Sequence, residues 1–397
     1  MSEPAPDHRS PGLIVLLASL VAIGPLTIDM YLPALPGMVD AFATDTARVQ
    51  LTISAYLLGF SVFHLACGPL ADRFGRRPVV LVGLVLYAAA TVACALAETV
   101  EQLIAFRFVQ GIGACVGPTL GRTIARDLYG PQGAARALAL IAMIMALAPA
   151  VAPTLGSLML EILPWPWIFL SLAAYSLLVA IIVGVKLPES VPVRQALHPV
   201  NIARNYGQLL RHREFRATTV ASALLYAGMV CFLSGASFVF IDMMGVPLRY
   251  FGALFLTTVA GYVGGSALSA RLALHRSSEA VMWLGGVAAT LGAVLILLGP
   301  LAWFHPASIV LPMALYVGGV GIALPHAMAT ALKPFAEMAG TASALFGFIQ
   351  MGLSAAAGAL VGALLKDSPT PMGAAILCCS LLSLLLIWRL RNADVSY

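Results

Sequence analysis

The chain has 397 residues, 60% of them hydrophobic and only 10% charged, with a formal net charge of +5. Soluble domains carry roughly a quarter charged residues, so a chain this apolar cannot cover its own surface, and a lipid bilayer has to do part of the covering. The basic excess forms no cluster interleaved with aromatics, which excludes nucleic acid as a partner.

A helix crosses about 30 Å of hydrocarbon with roughly 20 apolar residues. Runs of that length recur at 13–35, 50–70, 79–97, 102–124, 137–161 and 166–186, then at 217–241, 251–270, 280–300, 308–330, 341–364 and 372–390. These twelve runs predict an all-α integral membrane protein. The first run is read as a retained helix and not a cleaved signal peptide. Glu3 and Asp7 accompany Arg9 ahead of it, no A-x-A site follows, and it runs on through Asp29 into a proline-rich exit.

Residues 187–216 are polar and basic, with Arg194, Arg204, Arg211, Arg213 and Arg216, and they separate six runs from six. The expected organisation is an N-terminal bundle at 1–186, a cytoplasmic linker at 187–216 and a C-terminal bundle at 217–397. The halves echo each other faintly. GPLADRFGRRP at 68–78 follows helix 2, and GSALSARLALHR at 265–276 follows helix 8 without the aspartate. Repeat-built transporters have such halves, with the ligand site at their interface.

With the N-terminus placed inside, only Arg48, Arg249 and Lys366 fall in outer loops and Arg107 falls within the membrane; every other Lys and Arg is cytoplasmic. Arg122 and Arg126 are counted among the cytoplasmic ones. This asymmetry predicts that both termini are cytoplasmic.

Two charges sit at membrane depth, Asp29 in helix 1 and Arg107 in helix 4. A charge at the bilayer centre costs about 2.5–3.5 kcal/mol on insertion scales, which makes both functional candidates. At 1.5 Å per residue Asp29 lies roughly 24 Å above the inner edge, and Arg107 roughly 6 Å below the outer one. Both fall in the outer third and are expected to meet. Desolvation and a nearby guanidinium pull the ionisation of a carboxylate in opposite directions, and a change of state alters both, as a proton-coupling group requires. The alternative is a static ion pair that pins helix 1 to helix 4.

His64 and His326 also lie in apolar runs, and with Tyr31, Tyr56, Tyr226, Phe232 and Phe238 they are candidates to line an aromatic substrate cavity. Glu161 and Asp242 fall at helix ends near the outer interface. Pro149 and Pro153, four apart in helix 5 with Gly156 beyond, remove helical hydrogen bonds where a gate between halves would sit. The six cysteines (Cys67, Cys94, Cys115, Cys231, Cys378, Cys379) fall in apolar runs without metal-binding spacing and read as small buried hydrophobes.

GPLADRFGRRP, with Gly68, Asp72, Arg73, Gly75, Arg76 and Arg77, resembles the signature loop between helices 2 and 3 of the major facilitator superfamily. RFVQGIG at 107–113 resembles its helix 4 motif, and the paired-proline stretch resembles a motif of drug/proton antiporters. TIDMYLPALP (27–36), FLSGASFVFID (232–242) and MAGTASAL (338–345) resemble the bicyclomycin-resistance (Bcr/CflA) branch.

This resemblance implies two pseudo-symmetric six-helix bundles in a bacterial-type inner (cytoplasmic) membrane. They would export small, mostly apolar drugs in exchange for protons by alternating access. Asp29 and Arg107 would stand at coupling positions, with no cofactor beyond the proton gradient and no need for more than a monomer. Asp72 is expected to cap the positive end of helix 11 and to pair with Arg76, with Asp127 joining them, as a cluster holding the outward-facing state closed. The chain departs from the branch at His64, where glutamine is usual, and at His326, where asparagine is usual.

An exporter of an endogenous metabolite, such as an amino-acid derivative or a self-made antibiotic, would read much the same. A membrane-embedded enzyme would need groups such as HExxH or GxSxG, which are not present, and a receptor would normally add a soluble domain larger than the roughly 30-residue linker.

Overall fold

The computed structural model describes residues 11–191 and 199–393; Arg9 and Arg194 lie outside them. Among the described residues all regular structure is helical. Twelve helices are long and apolar enough to cross a membrane: Gly12–Ala41, Thr46–Phe74, Arg76–Ala95, Val100–Gly130, Arg136–Ile162, Pro166–Lys186, Arg213–Met243, Leu248–Leu272, Ser278–Ala302, Ala307–Phe335, Ala339–Leu364 and Thr370–Asn392. They are numbered below as spans in that order. Their outward faces carry large apolar side chains such as Val82, Ile181 and Val185, all exposed, as expected where lipid is the solvent. Cys378 belongs to that exposed surface, not to the interior.

Most spans run a few residues beyond the sequence expectation, and two of the differences bear on the site. The fourth span continues to Gly130, where a positive φ of 63° ends it. The seventh begins at Arg213, because Phe215 is already buried in a cluster with Leu209, Ala331, Leu345 and Phe346. Within the linker, Pro199–Arg211 is a helix rather than a polar connection. Ile202, Tyr206 and Leu209 recur at helical spacing, and Tyr206 and Leu209 tie the helix down. The Tyr206 hydroxyl donates to the Leu65 carbonyl of span 2 (2.9 Å), and Leu209 enters the cluster of the second half.

Spans 1–6 pack among themselves, as do spans 7–12. The halves meet where span 2 lies along span 11 and span 5 along span 8. In the first contact Ser61 donates to the Phe348 carbonyl at 2.8 Å. In the second, Gly252 lies hard against Thr154. Spans 1 and 7 meet at the face away from the arginines, where Ser237 donates to the Leu32 carbonyl at 2.6 Å. The long helix Pro11–Asp29 does not pack along span 7. Spans 1 and 7 therefore touch at that far face and lie apart toward the arginine-rich face.

Candidate functional site

Asp29 and Arg107 are both buried, at 4% and 0% exposure, but they form no ion pair; the ion pairs among the described residues are Arg48–Glu101, Arg76–Asp72 and Arg76–Asp127. The expected depth match is correct, because Arg107 meets Tyr31, two residues beyond Asp29. The expected meeting is not. The α-helix ends at Asp29, and Tyr31 lies in the turn that leads into the 3-10 segment Leu32–Ala34. Tyr31 turns into the first bundle while Asp29 turns toward the second, where its carboxylate lies within charge range of Tyr226 on span 7.

Arg107 instead lies in an aromatic cage. Its guanidinium carbon is 4.6 Å from the ring centroids of both Tyr31 and Tyr56 and 5.9 Å from that of Phe169. Each such contact is worth up to about 2 kcal/mol when desolvated. Span 4 approaches span 2 this closely because Gly111 leaves room for the Tyr56 carbonyl. Nη1 donates to Gln110 Oε1 at 2.7 Å, and Gln110 Nε2 donates on to the Thr91 hydroxyl at 2.8 Å. Nε and Nη2 have no hydrogen-bond partner among the described residues. Tyr31 and Tyr56, expected to line the cavity, are thus walls of the Arg107 cage, with the Tyr31 hydroxyl bonded to Thr52 at 2.8 Å.

Tyr226 does face the space between the halves, within interaction range of Asp29, Arg122 and Tyr262. By sequence, Arg122 counts with the cytoplasmic charges, at the inner end of a span read as 102–124. The longer fourth span places it eight residues short of Gly130, about 12 Å inside the helix end. It is nonetheless exposed, and it lies within interaction range of Tyr226 and Tyr262 of the second bundle.

The other expected cavity residues lie elsewhere. Phe232 packs on Phe240 and Phe255 inside the second bundle, with centroids 6.1 and 5.7 Å apart. Phe238 borders a separate cavity of about 460 Å³ at the far face, with Thr46, Asp242, Phe304, Lys366 and Asp367. His326 Nδ1 bonds the Ser278 hydroxyl at 3.2 Å; it continues the Gly319–Ala323 stripe packed on span 9 and so turns from the inter-bundle space. His64 stands between the halves, 3.6 Å from Cys115 Sγ and against Gly347 of span 11.

The loop after span 2 is a bracket within the first bundle. Arg76 holds Asp72 at 3.2 Å and Asp127 at 2.8 Å. Glu189, past span 6, accepts from the backbone N–H groups of Arg76 (2.9 Å) and Arg77 (3.3 Å), a carboxylate on a helix N-terminus. Arg77 donates to the Gly184 carbonyl. The Arg76 and Asp127 parts of the expectation agree with this geometry; the Asp72 cap on span 11 is not formed. Gly75 has φ of 103°, a conformation that suits glycine, whereas Gly68 has open space around it. Arg73 is exposed, its guanidinium over the Phe74 ring. In span 5, Pro149 and Pro153 leave the helix continuous; Ser157 donates to the Pro153 carbonyl at 2.8 Å, and Gly156 admits the Met30 carbonyl of span 1. Gln110, Thr91, Glu189, Arg122 and Tyr262 carry the geometry without having been singled out in sequence. Gln110 alone had a local signal, three residues after Arg107 on the same helical face.

A family model described as Major Facilitator Superfamily matches residues 17–359. The chain is 29% identical over 388 residues to the MFS-type transporter YdgK of Bacillus subtilis, covering 96% of each. It is 28% identical over 395 residues to a bicyclomycin resistance protein homolog of Haemophilus influenzae, again covering 96% of each, and 29% identical over 352 residues to multidrug resistance protein D of Escherichia coli, covering 86% of each. In fold it resembles the partially occluded, inward-open xylose transporter XylE of E. coli (TM-score 0.72, 13% identity, covering 95% of this chain and 98% of that one). A POT family transporter bound to 5-aminolevulinic acid is similar too (TM-score 0.77, 15% identity, covering 96% and 95%). The chain belongs to the major facilitator superfamily and is a multi-pass membrane transporter, not an enzyme.

Proposed function

We propose that the protein exports small, mostly apolar compounds, drugs among them, in exchange for protons. With the arginine-rich face cytoplasmic, the separation of spans 1 and 7 toward that face supports an inward-facing arrangement. One observation carries the reading: Asp29 is buried without a cation and turned toward the opposite bundle. A lone carboxyl there is costly in its charged form, and rocking of the halves changes the water and charge around it. Proton occupancy is then linked to which face is open. Arg107, caged against Tyr31, supplies a positive charge at the same depth from span 4. The bicyclomycin- and multidrug-resistance names of the relatives support drugs as cargo.

The test is transport in everted vesicles with a compound panel and an imposed pH gradient. Uptake should follow the gradient and collapse with a protonophore. Equal accumulation after collapse would refute proton exchange.

A further inference from the structure

The inference concerns the chemistry of the cargo and rests on the proposed inward-facing cavity. We propose that Arg122 binds an acidic group of the transported compound, so that the cavity favours amphipathic organic anions or zwitterions over their uncharged analogues.

Arg122 is an uncompensated charge in a place where compensation is expected. Its Nε donates to the Pro118 carbonyl of its own helix at 2.9 Å, and no carboxylate pairs with it among the described residues. Its charged or polar neighbours are Arg126, one turn further along the same face, and the hydroxyls of Tyr226 and Tyr262 from the second bundle. The contrast with Arg76 is direct. At the same end of the molecule, Arg76 is shared between two carboxylates.

The polar groups of the cavity lie in order along its depth. Arg122 sits about 12 Å in from the arginine-rich end of its span, Tyr226 about 20 Å in from Arg213, and Asp29 deeper still. A compound entering from that face meets two like-charged arginines first, which repel cations and draw in anions. The planar guanidinium fork matches a carboxylate with two parallel hydrogen bonds, and the tyrosine hydroxyls can donate to the same group. Asp29 at the closed end stays clear of the anion and free for the proton.

The test uses the full-length protein in detergent and a matched pair of probes, nalidixate and its methyl ester, with binding followed by quenching of intrinsic fluorescence. Wild type should bind the acid at least about tenfold more tightly than the ester, the scale of one charge-assisted contact. Arg122→Gln should bring that ratio to about one, and Arg122→Lys, which keeps the charge but loses the fork, should give an intermediate ratio. A wild type that binds no acid or shows no preference overturns the inference, and so does an Arg122→Gln protein that keeps the preference. Should the glutamine variant fail to fold, the acid-to-ester ratio of wild type and of the lysine variant decides the matter. Equilibrium binding needs no gradient. A lost acid preference beside intact gradient-driven transport refutes this inference alone, and an intact preference beside gradient-independent transport refutes the exchange reading alone.

Discussion

Tyr31 covers the guanidinium of Arg107 at 4.6 Å, at the depth where a carboxylate would have been the simplest partner. The arginine is held by π faces and one amide, and the carboxylate two residues earlier is left free to face the other half. Fixed charge and mobile charge are thereby separated.

Tyr31→Phe keeps the ring and loses only the hydroxyl bond to Thr52, so it should cost about 1 kcal/mol. Tyr31→Ala opens a cavity beside a buried cation and should cost about 3–5 kcal/mol. Thermal unfolding of the purified variants in detergent checks the order.

Gly75 and Gly68 belong to the same loop signature for different reasons. Gly75→Ala forces a side chain into φ of 103° and against the Glu189 carboxylate, at an expected cost of about 1–3 kcal/mol. Gly68→Ala meets nothing within 4 Å and should stay within about 0.5 kcal/mol of wild type. Paired melting curves distinguish a conformational requirement at one site from a general need for small residues.

The Asp72–Arg76–Asp127 bracket ties spans 2, 3 and 4 at the arginine-rich face. Asp72→Asn removes one of the two carboxylates on Arg76 and should lower the transport rate while leaving the amount of protein in the membrane near that of wild type. Initial rates normalised to protein amount measure this, and unchanged rates would leave the bracket as a topology signal alone.

Gly252 and Thr154 are the closest approach of spans 8 and 5 at the far face. Gly252→Val should wedge that face apart and shift the population toward outward-open. In a cysteine-free background, a cysteine placed at Phe238 should then react faster with a membrane-impermeant thiol reagent added from outside. Slower or equal labelling would contradict the assigned closed face.

Hydropathy made the twelve spans legible, because each had to present about 20 apolar residues to lipid. The depth of Asp29 and Arg107 was legible for the same reason, since rise per residue is fixed. Their bearing was not: the helix ends at Asp29 and turns before Tyr31, and only packing decides which side chain faces which half. His326 was misplaced in the same way. Arg122 read as a cytoplasmic-end charge because a fourth span ending at 124 leaves it two residues from the helix end, whereas the span to Gly130 sets it eight residues in. The linker helix escaped notice because its apolar side is three residues within a basic, polar stretch.

The account turns on Asp29 as the group that trades its proton. A compound from the panel that is exported under the gradient should, when added to purified protein in weakly buffered detergent solution, release protons from wild type and none from Asp29→Asn, while the variant still binds the compound. Proton release of the same size from both proteins would contradict it.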